Sequence, residues 1–573
     1  MSNTRNPFFF QSASDLQADE VIQYYAEGGN ITKALSSREN CYLIGERGAG
    51  KSMALRYHSF LVQNLLPRDE RCVDTVGIYI PCNHPLMLKN EASLFDKANE
   101  IAIIEHFFTL SMAYHICSSL RDCCKLHNEK IQKKLLKNLS YSLALNKNIP
   151  FYGDIFSSIM NFSIHESAAM QKELNKINSE RPKITYTFFT LILPLLDIAR
   201  RTDSLEKAHF SMLFDDAHLL SMDRQKVLNS YVSYRDHSQF SFKAAIASCE
   251  DYTFMTTEGS TLVAGHDFTM LDMEEDFQNS KSDFGRFIRT IISKRFKEFN
   301  ISASPDEFFP ISDALNKGIE KARESARIEA IKKYGEIDSK KINDYVYKYG
   351  RARYFQNRPA KASLPQYSGI DTIAHVSTGV VRNALHPCWK MYEKELTRLR
   401  GTIPQTIPPN IQASILKEES DALWGSIRAG FGNKIEGCTK EDSKKIENFF
   451  DELKTLFRNR LLSQCSEPRI LAFIVSEKES EAYEEVKRLL LLCRKAQLLY
   501  ERFGPGKDDG RRETFYATNR LLWIAVGLDP EGQHGRLSIK ATDILAAAIR
   551  KTPFLSASEN EGQLNLLDLK DWK

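Results

Sequence analysis

Gly45-Glu46-Arg47-Gly48-Ala49-Gly50-Lys51-Ser52 fits the pattern Gly-x-x-x-x-Gly-Lys-[Ser/Thr], and the reading of the chain turns on it. Glycines at this spacing let backbone N–H groups curl around phosphate oxygens, where a side chain would block the approach. The lysine reaches β and γ phosphates, and the hydroxyl next to it ligates magnesium. The run before the loop, Cys41-Tyr42-Leu43-Ile44, is short and apolar, as a buried strand is. Residues 52–65 behind it have helix-forming composition, with Leu55, Phe60, Leu61 and Leu65 spaced for one face. Such a helix points its N-terminal dipole at the same anion. Strand, loop and helix together predict that residues 45–52 cradle the phosphates of ATP, with Lys51 on the phosphates and Ser52 on Mg2+.

Further strands are predicted at residues 76–81, 210–214, 242–247 and 268–271, at intervals that fit strand–helix–strand units. Such alternation argues for a parallel sheet covered by helices on both faces. The strand at 210–214 runs into Asp215-Asp216. A carboxylate at a strand tip beside the phosphate loop holds magnesium, directly or through water, and that role falls to Asp215. Asp216 then orients or deprotonates the attacking water.

Gly-x-Arg-Gly-x-Gly-Lys-Ser, followed by Phe214-Asp215-Asp216-Ala217-His218-Leu219-Leu220, resembles the AAA+ ATPases of the origin-recognition and initiator group and their prokaryotic relatives. The resemblance runs from about residue 40 to 385. It implies an α/β P-loop fold with a parallel sheet core, a large helical insertion, a helical lid and a C-terminal winged-helix-like α+β domain. Residues 1–39 are then an N-terminal segment, 40–300 the AAA+ core with the insertion near 95–180, and 301–400 the lid. A linker at 401–439 and a winged-helix-like region at 440–573 complete the division. The resemblance also implies a polar sensor, met by Ser248, and a lid arginine on the γ-phosphate, met by Arg382 in Ser377-Thr378-Gly379-Val380-Val381-Arg382. Arginine fingers act across subunits in this group; Arg286, Arg289 and Arg295 lie in a suitable helical stretch, and nothing in the sequence chooses among them. The second acid is aspartate where most AAA+ enzymes have glutamate, and the sensor is serine rather than asparagine. Both departures point to slow hydrolysis, more a switch than a motor.

Two regions are candidates for nucleic acid. Near the C-terminus, a helix at 482–500, a turn carrying Lys507, Arg511 and Arg512, and a returning strand at 514–517 follow the order of a winged helix. Residues 317–361 hold thirteen basic and six acidic residues, with Tyr334, Tyr345, Tyr347, Tyr349, Tyr354 and Phe355 among them. Aromatics beside Arg351, Arg353 and Arg358 would stack on bases; the alternative is a solvated helix face with its rings packed inward.

The rest of the composition excludes more than it selects. A net charge of +4 on 78 basic and 74 acidic residues gives no global pull towards nucleic acid. The eleven cysteines form no Cys-x-x-Cys pair, which argues for reduced thiols and a cytoplasmic setting. The N-terminus lacks the pattern of a signal peptide, and the apolar stretch at residues 188–199 is too short for a bilayer and reads as a buried helix. Cys123, Cys124 and His127 lack a second ligand pair for zinc, and His165-Glu166 lacks a second metalloprotease histidine. The expected function is an ATPase switch that couples nucleotide state to double-stranded DNA binding or to assembly as a homo-oligomer. The alternative is a regulatory ATPase of an anti-phage defence system that acts on an effector protein, motivated by the large insertion and the absence of an effector domain.

Overall fold

The computed structural model describes residues 6–8, 13–28, 30–67, 75–83, 91–122, 128–175, 186–202, 205–234, 239–247, 252–273, 281–359, 361–432, 434–463, 465–505, 512–532 and 535–554. The chain divides into two compact units, Phe10–Asp276 and Met1–Phe9 with Phe277–Lys573.

In Phe10–Asp276, β1 (Cys41–Ile44), β2 (Thr75–Pro81), β3 (His209–Asp215), β4 (Phe240–Ile246) and β5 (Thr269–Asp272) form one parallel sheet in the order β2-β3-β4-β1-β5. β1, β3 and β4 are buried along their whole length, because side chains alternate between two covered faces. Phe210, Met212 and Phe214 enter one core with Tyr42, Ile78 and Phe242, while Leu213 enters the other with Leu43, Leu55 and Ala245.

All five predicted strands are present, but the single helix expected over residues 52–65 is two. Lys51–Tyr57 ends, Ser59 bridges Gly77 of β2, and Phe60–Gln63 starts again. The break has a long-range cause: a Cβ on Gly77 would stand 2.2 Å from the His58 carbonyl oxygen, so the two backbones touch.

The insertion between β2 and β3 carries the helices Lys97–Arg121, Glu129–Ser142 and Ile155–Leu174. It is continuous with the core: Ile103, Ile104, Phe108, Met112 and Ile116 of its first helix are buried with the sheet. Burying each such side chain contributes roughly 1.5–3 kcal/mol. Lys97–Arg121 is long and apolar enough to cross a membrane by composition alone, and that apolarity is accounted for by its place in the core. Residues 188–199 are buried as expected, as a π-helical turn followed by the helix Leu193–Ala199.

The other unit begins with helices. Asp313–Tyr334 and Ser339–Gln356 pack as an antiparallel pair. They come close at Gly318, where a Cβ would lie 2.5 Å from the Tyr354 ring, and at Gly350, where it would lie 2.9 Å from Arg323 Cγ. Ile370–Val376 and Val381–Arg398 follow. In the expected linker at 401–439, residues 400–408 are loop, but Pro409–Ala429 is a 21-residue helix. Pro409 sits where a helix tolerates proline, and Ile411, Ile415, Leu416 and Trp424 bury its inner face. Trp424 donates its indole N–H to Leu522 O at 2.8 Å, tying this helix to the last region.

There, β6 (Ala472–Ser476), β7 (Leu499–Pro505), β8 (Arg512–Thr518) and β9 (Leu537–Lys540) order as β7-β8-β6-β9. The helix, hairpin and returning strand expected here are present as Glu481–Lys495, β7 and β8, with β7 and β8 antiparallel. β6 precedes that helix and pairs antiparallel with β8, and β9 is added parallel to β6. The wing turn with Lys507 and Arg511 lies outside the described residues, as does the side chain of Arg512.

Candidate nucleotide site

β1 delivers the chain into residues 45–50 as a tight loop, and Lys51 opens the helix Lys51–Tyr57. Gly48 and Gly50 have φ of +94° and +108°, a region that a side chain strains. Gly45 is fixed for space: a Cβ there would meet Met273 Cβ at 3.1 Å. Met273 belongs to the segment after β5, held by its N–H donating to Ile44 O at 2.8 Å.

Lys51 is 6% exposed, and its ammonium donates to Gly45 O at 2.6 Å and Glu46 O at 3.1 Å. The cation therefore stands at the loop, on carbonyls that a phosphate oxygen can replace as its partner. Ser52 Oγ donates to Asp215 Oδ1 at 3.0 Å, across β1 and β3. Asp215, 4% exposed at the end of β3, also accepts at Oδ1 from the Asp216 N–H at 3.0 Å and at Oδ2 from the Tyr79 hydroxyl at 2.7 Å. Burial, and then the charge of Asp216, raises the Asp215 carboxyl above its ordinary value; Tyr79, Ser52 and Lys51 offset part of that rise. Asp216 is half-buried and turns the chain with φ +56°, a conformation that aspartate tolerates better than most residues.

These donors fit magnesium. Ser52 Oγ and Asp215 Oδ1 are adjacent hard oxygens, and a buried carboxylate of raised proton affinity favours a cation beside it. Among the described residues no group of three or more His, Cys, Asp or Glu forms a metal cage. Magnesium takes one or two protein oxygens and completes its shell with water and phosphate, so a cage is not needed.

The structure thus brings Lys51, Ser52, Asp215 and Asp216 together. Ser248, the expected sensor, lies outside the described residues. Arg382 belongs to the other unit, exposed on the first turn of Val381–Arg398 after Thr378 and Gly379, both of positive φ. Of the three finger candidates, Arg295 is 2% exposed and donates to Pro7 O at 2.8 Å, so it is a core residue. Arg289 pairs with Asp306 and Asp371, and Arg286 is exposed.

Sequence reasoning missed Tyr79 beside the site and Lys243 at the start of β1. Tyr79 gave no local signal, since its partner is 136 residues away. Lys243 looked like part of an ordinary strand. It is fully buried on β4, donating to Ala34 O at 3.1 Å, Ser37 O at 3.0 Å and Glu39 O, which fixes the segment that enters β1. Burial lowers this ammonium to about 8.

The model of one family, described as ORC-CDC6-like, matches residues 6–539. The chain belongs to the ORC-CDC6-like family. Its members are AAA+ ATPases, which bind ATP, typically with Mg2+, and the five-stranded parallel core with its helical domains is the AAA+ α/β fold. Among solved structures, Cdc6p from Pyrobaculum aerophilum matches with 10% identity and a TM-score of 0.29, covering 97% of this chain and 98% of that one. No curated protein matches the sequence.

The arginines of the basic helical pair, weighed as a nucleic-acid surface, are used inside this ORC-CDC6-like chain. Arg351 is bidentate on Asp529, at 2.8 and 3.1 Å, and pairs with Glu531 at 2.7 Å. Arg353 pairs with Glu329, and Arg358 donates to Tyr354 and to Ser363 O. Tyr345 and Tyr349 pack ring on ring at 4.5 Å. Of the rings, Phe355 is buried, Tyr345, Tyr349 and Tyr354 are half-buried, and Tyr334 and Tyr347 are exposed.

Proposed function

We propose that this ORC-CDC6-like protein is a slow ATPase switch that binds MgATP at residues 45–52 and couples nucleotide state to double-stranded DNA binding or assembly. The observation that carries the reading is the convergence of Lys51, Ser52 and Asp215 at the C-terminal ends of β1 and β3. Lys51 exchanges loop carbonyls for phosphate oxygens, and the glycine loop supplies N–H donors around them. Bound magnesium would neutralise phosphate charge at the Ser52–Asp215 pair. Asp216 holds the attacking water, and its short arm on a left-handed turn supports slow rather than fast turnover. Ser248 and Arg382 are assigned to the γ-phosphate, with Arg382 relaying its presence to the helical lid. DNA as the partner rests on family membership.

The test is ATP binding and turnover of wild type, Lys51→Ala and Asp216→Asn, each with and without double-stranded DNA. Binding lost in Lys51→Ala but kept in Asp216→Asn, with turnover stimulated by DNA, is the expected result. Tight binding with turnover indifferent to DNA would reject DNA as the partner and leave the second reading, action on an effector protein. Undiminished binding in Lys51→Ala would overturn the nucleotide site itself.

A further inference from the structure

Asp215 is held from three sides, and only one of the three partners is accounted for by the nucleotide motif. Ser52 Oγ and the Asp216 N–H both donate to Oδ1, while Oδ2 accepts from Tyr79 alone among the described hydrogen bonds. Tyr79 lies on β2, in register with Leu213 of β3, while Pro81 stands opposite Asp215. In a parallel pair, residues two apart share a face, so the tyrosine ring lies on the Asp215 side and reaches diagonally along it. The ring packs against the core that contains Leu213, Leu55 and Ala54. Its hydroxyl donates to Oδ2 at 2.7 Å.

We propose that Tyr79 is a positioning residue for magnesium: by occupying Oδ2 it turns Oδ1 of Asp215 towards Ser52 and thereby sets the metal dependence of nucleotide binding. This rests on the MgATP reading of the site. A carboxylate tethered at one oxygen presents the other in a fixed direction, whereas an untethered one rotates about its terminal torsion and loses part of its affinity as a ligand. Removing an outer partner of this kind typically costs ~10–100-fold in metal affinity. Tyr79 has no hydrogen bond to the phosphate loop among those described, so its effect enters through Asp215.

The experiment titrates ATP into wild type and Tyr79→Phe by calorimetry, once in EDTA and once across a Mg2+ series. Tyr79→Phe keeps the ring in its core and deletes only the hydroxyl. The expected result is an unchanged EDTA affinity with a Mg2+ midpoint raised ~10-fold or more. An unchanged Mg2+ midpoint would overturn the proposal, and so would a parallel loss in EDTA, which would mark Tyr79 as structural. Tyr79→His, which restores an N–H donor on a ring, should recover part of the midpoint; no recovery beyond Tyr79→Phe counts against positioning. Failure of the underlying reading looks different: wild type itself would bind ATP without regard to Mg2+, or not at all.

Discussion

Ser52 Oγ donates to Asp215 Oδ1 at 3.0 Å although 163 residues separate the two in the chain. The bond sets the metal-side oxygens next to each other. Because both act at one point, Ser52→Ala and Asp215→Asn should each lower MgATP affinity tenfold or more, and the double variant should be little worse than either. Calorimetry with and without Mg2+ measures this cycle. Losses that simply add would mean that the two residues do not share a ligand.

Asp215→Asn should also separate function from stability. Burial and the neighbouring Asp216 both disfavour the Asp215 charge, while asparagine can still accept from Ser52 and from the Asp216 N–H. We expect metal-free protein carrying Asp215→Asn to unfold at equal or higher denaturant concentration, by ~1 kcal/mol, while its Mg2+-dependent binding is lost. A clear fall in metal-free stability would show that the carboxylate is needed for the fold.

Asp216→Glu tests why turnover should be slow. The longer arm reaches further from the same turn, at the expense of ~1 kcal/mol for a glutamate at positive φ. Single-turnover hydrolysis should speed up severalfold at unchanged ATP affinity. Slower hydrolysis would place Asp216 already at its best distance and locate the slow step elsewhere.

The sheet and the phosphate loop were legible because their signals are local. Cys41-Tyr42-Leu43-Ile44 before a glycine loop and Phe214 before Asp215-Asp216 carry their meaning within a few residues. What was misjudged depends on distant partners. The break at His58 and Ser59 comes from Gly77 of β2, and Tyr79 acquires its role only when β2 lies beside β3. The role of Arg351 stays open between a base-stacking surface and a helix face in the sequence, because Asp529, its partner, is 178 residues further on. The linker drawn over 401–439 is loop only as far as residue 408, since Trp424 and its apolar neighbours give Pro409–Ala429 a face to bury.

Two buried histidines give the unit Phe10–Asp276 an acid sensitivity. Burial lowers both His58 and His106 to about 4, and His106 stacks on Tyr186 at 5.0 Å. Each ring is neutral in the folded chain and takes up a proton on unfolding below about pH 6.5, so the stability it contributes is present above that pH. It is lost as pH falls towards 4, by up to ~3 kcal/mol per ring. Unfolding midpoints measured from pH 7.5 to 4.5 should fall for wild type and fall less for His106→Phe. An equal slope in both would remove His106 as a source.

Asp529 is the electrostatic centre of the other unit. Burial alone would raise its carboxyl, but Arg351 and Arg469 hold it well below the usual carboxylate range, with Arg469 Nη1 at 3.0 Å. Arg469 also donates to Tyr347 O at 2.7 Å, so the cluster joins the helix Ser339–Gln356 to the segments on either side of β6 and β8. Breaking such a cluster on one side leaves a buried charge uncompensated, typically at ~3–5 kcal/mol. Asp529→Ala should therefore destabilise the protein strongly, because Arg469 loses its carboxylate partner and Arg351 keeps only Glu531. Arg351→Met should cost less, since Arg469 stays paired with Asp529. If Arg351 instead served a DNA phosphate, Arg351→Met would leave the unfolding midpoint unchanged and flatten the salt dependence of DNA binding by about one ion. Chemical denaturation and a salt titration of DNA affinity, run on the same variant, separate the two roles; loss of stability with an unaltered salt slope is the outcome expected here.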